Sequence, residues 1–266
     1  MPRDPRRREG SAISTPQVLI HPDADILAKA VAARLVTRLV DACAASGHAA
    51  VVLTGGGIGT RVLAELAAAP ARDAVDWRQV DFWWGDERFA PAGDPDRNET
   101  GARAALLDQL DISPGQVHAM PGPDGPDGDD PEAAARRYAG SLQAAAQPGD
   151  VVGVPSFDVL MLGIGPEGHV ASLFPGMPAL DEQERTVVAV HGAPKPPPTR
   201  LSLTLPAIRA ARDVWILASG QEKAAAVGLA LSAAGPAPVP AAGARGREQT
   251  LFLLDRAAAA ALPART

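Results

Sequence analysis

The chain has 266 residues, 46% of them apolar, a formal net charge of −6 and one cysteine. That size and apolar content allow a large buried core, and the acidic balance argues against a nucleic-acid binder, which usually presents a basic face. A lone cysteine, Cys43, excludes an internal disulfide and a thiolate metal cluster, and in an Ala-rich helical stretch it reads as a buried inert thiol. From the amino end, residues 1–14 are basic at Arg3 and Arg6-Arg7-Arg8, but no apolar run follows them. They read as a disordered leader rather than an export signal, and no stretch is long enough to span a membrane, so a cytoplasmic protein is expected.

A first strand is expected at Val18–Ile20 and a long helix at Asp25–Ala45, with apolar positions Ile26, Ala30, Ala33 and Val36. The strand Ala50–Leu53 runs into the turn Thr54-Gly55-Gly56-Gly57 and a helix through Ile58–Ala68. Val80–Trp84 is a strand ending in Gly85-Asp86-Glu87-Arg88, and Glu99–Leu107 is a helix with Asn98 as its N-cap. Pro121–Asp130 is an exposed loop, Pro131–Ala146 a helix and Phe157–Ile164 a buried strand. Further strands fall at Thr186–Val190, Leu201–Leu205, Val214–Ala218 and Thr250–Leu254, with a helix at Gln221–Ser232 between the last two. Gly192–Thr199, which holds Lys195-Pro196-Pro197-Pro198, reads as a stiff extended connector. Repeated β-α alternation without an internal repeat implies one α/β domain over residues 15–266. Its architecture is Rossmann-like, a doubly wound, mostly parallel sheet with helices on both faces.

Open sheets of this kind place reactive groups at the carboxyl ends of their strands, and four such segments carry chemistry. The turn at Thr54, Gly55 and Gly56 lets a ligand approach the backbone and offers free helix N–H groups to an anion. It lacks the Gly-Lys-Ser/Thr of a Walker loop and the third Gly of a dinucleotide fingerprint. Arg88 can hold a phosphate or carboxylate by a forked pair of hydrogen bonds, and Asp86 and Glu87 can restrain it or contact sugar hydroxyls. Arg200 and Lys223 follow strand or connector ends. His169, in Gly163-Ile164-Gly165-Pro166-Glu167-Gly168-His169, is the one histidine of five that lies in a strand-end glycine turn beside an acid. It can move protons near neutral pH with Glu167 orienting it. No histidine pair has metal-ligand spacing, no G-x-S-x-G elbow occurs, and Ser172 reads as a packing or capping residue. These features describe an enzyme using acid–base chemistry on a small phosphorylated or anionic molecule.

The segments Leu53-Thr54-Gly55-Gly56, Trp84-Gly85-Asp86-Glu87-Arg88 with Asn98, Leu162 through Pro175, Pro198-Thr199-Arg200-Leu201-Ser202 and Ser219-Gly220-Gln221-Glu222-Lys223 stand together in one order. By them the chain resembles the 6-phosphogluconolactonase family of the glucosamine-phosphate-isomerase-like superfamily, over roughly Gln17 to Leu262. Many members carry Asp before Gly-His, where this chain has Glu167. The resemblance implies hydrolysis of 6-phospho-D-glucono-1,5-lactone in the oxidative pentose phosphate pathway, with no metal, redox cofactor or covalent intermediate. It implies His169 as acid–base, Glu167 as its support, and Arg88 and Lys223 as the phosphate clamp. Thr54, Gly55, Gly56, Asp86, Asn98 and Arg200 complete the substrate contacts, and a monomer acting on a small sugar-phosphate lactone is expected. Deaminase relatives with this fold carry an Asp-Glu-Tyr type segment where this chain has Asp86-Glu87-Arg88. Sugar-phosphate sensors built on it usually carry a DNA-binding module, for which the leading segment is too short.

Overall fold

The computed structural model describes residues 14–232 and 239–263, so the leader expected over residues 1–14 lies, but for Ser14, outside the described residues. The strands are β1 (Pro16–His21), β2 (Ala49–Leu53), β3 (Val80–Trp84), β4 (Asp86–Arg88), β5 (Val159–Gly163), β6 (Val187–Val190), β7 (Arg200–Leu203), β8 (Asp213–Ala218) and β9 (Gln249–Asp255). The helices are α1 (Ala24–Ser46), α2 (Gly56–Ala68), α3 (Asn98–Ala105), α4 (Pro131–Ala145), α5 (Leu205–Arg209), α6 (Ala224–Leu231) and α7 (Pro240–Gly243).

Six strands form one parallel sheet in the order β1-β9-β8-β5-β2-β3. The central strands are apolar almost without alternation, as a parallel sheet covered on both faces requires: β2 and β8 are buried throughout, whereas no residue of the edge strand β1 is fully buried. After β2 the chain steps outward to β3, then returns to the other side of β2 with β5, β8 and β9 in turn. That reversal opens a crevice between the carboxyl ends of β2 and β5, where ligands of doubly wound sheets bind. The hydroxyl of Thr54 bridges the two ends by accepting from the Gly163 N–H at 3.1 Å.

Helix α1 begins at Asp23, whose carboxylate accepts from the Ile26 N–H at 2.9 Å, and stops at Gly47, left-handed at φ 74°. Its buried stripe is Leu27, Val31, Leu35 and Leu39, with Ala28 and Ala32 beside it. The stripe expected from Ile26, Ala30 and Ala33 is wrong: Ile26 and Ala33 are exposed and Ala30 only half-buried, while Val36 is buried as expected. The four i, i+4 aliphatics outweigh a face made mostly of alanine, because each buried Leu or Val contributes about 1.5–3 kcal/mol.

Three other expectations change. First, Asp86–Arg88 is not a simple strand-end turn, and the strands expected at Thr186–Val190 and Leu201–Leu205 do not join the main sheet. Together they form a separate antiparallel sheet, β4-β7-β6, which α4 covers through contacts to β6 and β7. Second, the proline segment is no extended connector. It is the closed tip of the β6–β7 hairpin, where the Ala193 N–H donates to the Pro198 carbonyl at 2.9 Å. Third, the helix expected at Gln221–Ser232 is a 3-10 turn, Gln221–Lys223, followed by α6. Cys43 is partly rather than fully buried, and burial with the nearby Asp158 charge pushes its thiol up.

Candidate active site

A cavity of about 260 Å³ lies at the β2–β5 crevice, closed on one side by the small antiparallel sheet and its hairpin tip. Nine of the ten residues expected from the sequence line it: Thr54, Gly55, Gly56, Asp86, Arg88, Asn98, His169, Arg200 and Lys223. The tenth, Glu167, stands behind His169, its Oε1 3.0 Å from the imidazole Nδ1. A second cavity of about 440 Å³ continues from the first along α2 and shares Gly55, Gly56, Gly163, Ile164 and Lys223 with it.

The β5–His169 turn is built for this pair. The Gly168 N–H donates to the Gly165 carbonyl and the Gly165 N–H to the His169 carbonyl, both at 2.9 Å. A side chain on Gly165 would overlap both the His169 ring and the Glu167 carboxylate. Gly168 sits at φ 89°, and a Cβ there would press into Val239. The His169 ring leans on Phe174 with centroids 4.4 Å apart and is 15% exposed. Its Nδ1 is buried and off the line of an ideal hydrogen bond to Glu167, and no other acceptor serves it. Burial pushes this imidazole below its ordinary pKa, against the opposing pull of Glu167. Burial also acts to raise the Glu167 carboxyl. Its own backbone N–H, His169 and Lys195 prevail and hold it below the ordinary value. The pair at neutral pH is therefore a neutral imidazole beside a carboxylate, with Nε2 left for the cavity: the state of a general base.

The opposite wall rests on Glu87, fully buried, whose carboxylate accepts from the N–H groups of Arg88, Asn98 and Glu99 at 2.7–2.9 Å. Glu87 therefore does not restrain Arg88 by charge pairing, nor does it face the cavity. It caps the start of α3 from a neighbouring strand, with Arg97 3.9 Å away. Burial leaves its carboxyl raised in spite of these partners. Asn98 is not the N-cap expected, because Arg97 holds that position and Asn98 begins the helix. Its side chain is thereby free to accept from Arg88 Nη1 and to donate to the Asp86 carbonyl at 2.8 Å. It packs so close to Gly55 that any side chain there would collide with it. Arg88 Nη1 also donates to the Asp96 carbonyl at 2.9 Å, and its Nε is buried with no acceptor in the protein.

Arg200 lines the cavity, yet its donors are directed at the hairpin tip: Nη2 to the Lys195 and Pro196 carbonyls at 3.0 and 3.2 Å, Nε to the Pro197 carbonyl at 3.2 Å. Two residues that build the site escaped the sequence reading, Lys195 on the cavity wall and the buried Ser172 behind it. Lys195, hidden in a proline run, reaches to 3.5 Å from Glu167 Oε2. Ser172 donates from Oγ to Asp86 Oδ2 at 2.7 Å and so fixes that carboxylate. Its place three residues after His169 was the available signal, but its partner lies 86 positions away. Lys223 is half-buried, and burial together with the Lys195 charge pushes its ammonium down. Among the described residues no three His, Cys, Asp or Glu side chains converge as metal ligands.

An open parallel sheet that brings a neutral histidine–carboxylate pair and four cations to one crevice belongs to the α/β enzymes that act on small anionic molecules by proton transfer. The sequence pattern of the family described as glucosamine-6-phosphate isomerases/6-phosphogluconolactonase matches residues 22–253, and the chain belongs to that family. It is 61% identical over 249 residues to the 6-phosphogluconolactonase of Streptomyces coelicolor, covering 94% of this chain and 95% of that one. It is 52% identical over 244 residues to that of Mycobacterium tuberculosis, covering 92% and 97%. The solved structure of 6-phosphogluconolactonase from Trypanosoma brucei superposes with a TM-score of 0.79 at 31% identity, covering 95% of this chain and all of that one.

Proposed function

We infer that the chain hydrolyses 6-phospho-D-glucono-1,5-lactone to 6-phospho-D-gluconate. The observation that carries this reading is the His169 imidazole, 3.0 Å from the Glu167 carboxylate and lining a cavity rich in cations. A lactone is an activated ester, so its opening needs a base for water and a proton for the leaving oxygen. Nε2 of His169 takes a proton as the water oxygen bonds to the carbonyl carbon. The carbon–ring oxygen bond then breaks, and the same nitrogen returns the proton to that oxygen. Glu167 holds the ring in place and stabilises the imidazolium that forms between the two steps.

Arg88 and Lys223 bind the phosphate, joined by Lys195. Asp86, fixed by Ser172, and Asn98 contact the sugar hydroxyls. Thr54, Gly55 and Gly56 shape the floor, and Arg200 holds the hairpin tip that carries Lys195. The reading includes a monomer working in the cytoplasm without nucleic acid, membrane or cofactor. No described helix is long and apolar enough to cross a membrane.

The test is proton release on adding freshly prepared 6-phosphogluconolactone, against a blank without enzyme because δ-lactones open spontaneously. Catalysed release well above the blank is expected. A rate equal to the blank would remove the reading.

A further inference from the structure

A third cavity, mostly apolar in its lining but bordered by three arginines, lies at the other end of the parallel sheet. The segments before β5, β8 and β9 meet there around a space of about 240 Å³, lined by Arg209, Arg245 and Arg247 on one side and Val151, Val152 and Pro206 on the other. The catalytic crevice opens at the carboxyl ends of these strands, so the two sites are separated by the length of a strand, roughly 15–20 Å at about 3.3 Å per residue.

Among the described residues none of the three arginines has a carboxylate within ion-pair distance. Glu248, the next residue along, turns instead to Arg38 and Arg212 at 3.5 Å each, and Asp150 accepts from the Gln147 N–H. Arg209 Nε donates to the Gly243 carbonyl at 2.8 Å and Arg247 Nη1 to Ser156 Oγ at 3.3 Å, which anchors each guanidinium by one edge. Arg245 lies over the Phe252 ring at 5.9 Å, and its Nη1 is buried with no acceptor at all. A buried guanidinium N–H without a partner is costly, and like charges facing each other add to that cost.

The backbone that presents these groups is fixed. Gly246, between two of the arginines, has no room for a Cβ against the carbonyls of Gln249 and Arg212. The Arg247 and Glu248 N–H groups donate to the Ala211 and Arg212 carbonyls at 2.9 and 2.8 Å. On the apolar side Val152 stands 52% exposed at φ 49°, a conformation a β-branched residue rarely adopts. Strain, exposed apolar surface and unanswered positive charge therefore coincide at one cavity remote from the chemistry.

We propose that this cavity is a binding site for a small organic anion, a single phosphate or carboxylate group carried on an apolar body. The anion meets Arg245 and Arg209, and the apolar part covers Val151, Val152 and Pro206. An aromatic ring is a suitable size, since benzene occupies a cavity of about 150 Å³.

The experiment follows the Val151 and Val152 methyl signals by NMR while phenyl phosphate, benzoate and, as the neutral control, phenol are titrated to about 10 mM, beyond millimolar affinity. Because those methyls report on this cavity alone, the outcome is independent of what binds beside His169. The expected result is a saturable shift with phenyl phosphate or benzoate, weakened at least tenfold in Arg245→Gln and in Arg209→Gln, with lactone hydrolysis unchanged in both. Saturation by only one of the two anions assigns the head group. Should Arg245→Gln fail to fold, Arg209→Gln carries the comparison. No saturable shift, equal binding of phenol, or undiminished binding in the variants that fold would overturn the proposal.

Discussion

Lys223→Ala separates recognition of the phosphate from chemistry at the lactone. Among the described residues its Nζ makes no hydrogen bond or ion pair, so truncation strands no buried partner. The substrate's phosphate lies at the far end of the sugar and takes no part in bond cleavage, so it can supply only binding and orientation. A hydrogen bond to a charged group contributes about 1.5–3 kcal/mol, and about 1.4 kcal/mol is a factor of ten. The loss in kcat/KM should therefore be about 10- to 150-fold, mainly in KM. Burial and Lys195 both disfavour the Lys223 ammonium before ligand arrives, and a bound dianion relieves that pressure. Arg88→Ala is a less clean probe, because it also removes the donor that holds Asn98. The assay is initial-rate hydrolysis of 6-phosphogluconolactone and of glucono-δ-lactone, which lacks the phosphate, with each enzyme. The neutral lactone should be a poor substrate whose kcat/KM is nearly unaffected by the substitution. Equal losses on both lactones would mean that Lys223 serves the reaction centre or the fold, and the placement of the phosphate would be wrong.

Four further outcomes are expected. His169→Ala should fold normally, by circular dichroism and thermal melting, and lose about 10²–10⁴-fold in kcat; near-normal turnover would exclude it as the acid–base. The base must be neutral, so kcat/KM should fall on the acid side with an inflection below the ordinary histidine value of 6.5, the direction burial imposes. Glu167→Gln removes the charge that pulls this pKa up, so the inflection should move still lower while the maximal rate drops, and Glu167→Asp should retain activity. A profile identical to wild type for Glu167→Gln would leave the carboxylate without an electrostatic role. Gly165→Ala should cost most of the activity with little change in melting temperature, because its methyl would fill the space between His169 and Glu167. Full activity there would show that the turn relaxes freely.

The alternation of β-branched and aliphatic strands with Ala-rich helices was enough to place the six parallel strands, because a strand buried on both faces leaves an unmixed apolar run. The glycine turns after β2 and β5 were also legible, since close backbone approach leaves no other residue type. His169 and Glu167 could be paired because two positions separate them. Contacts between distant positions were not legible. Glu87 looks like one of three charges in a row, yet it is buried under the start of α3, where it answers three N–H groups. Lys195 looks like part of a stiff spacer until the β6–β7 hairpin folds it over the crevice and Arg200 ties down its backbone. Ser172 acquires its role only when Asp86 arrives from another sheet. Local sequence determined which elements form and which groups stand at their ends, because those follow from periodicity and backbone sterics. The tertiary structure alone decided which charges are solvated and which are buried and paired, because desolvation and Coulomb interaction depend on neighbours that the chain brings together only by folding.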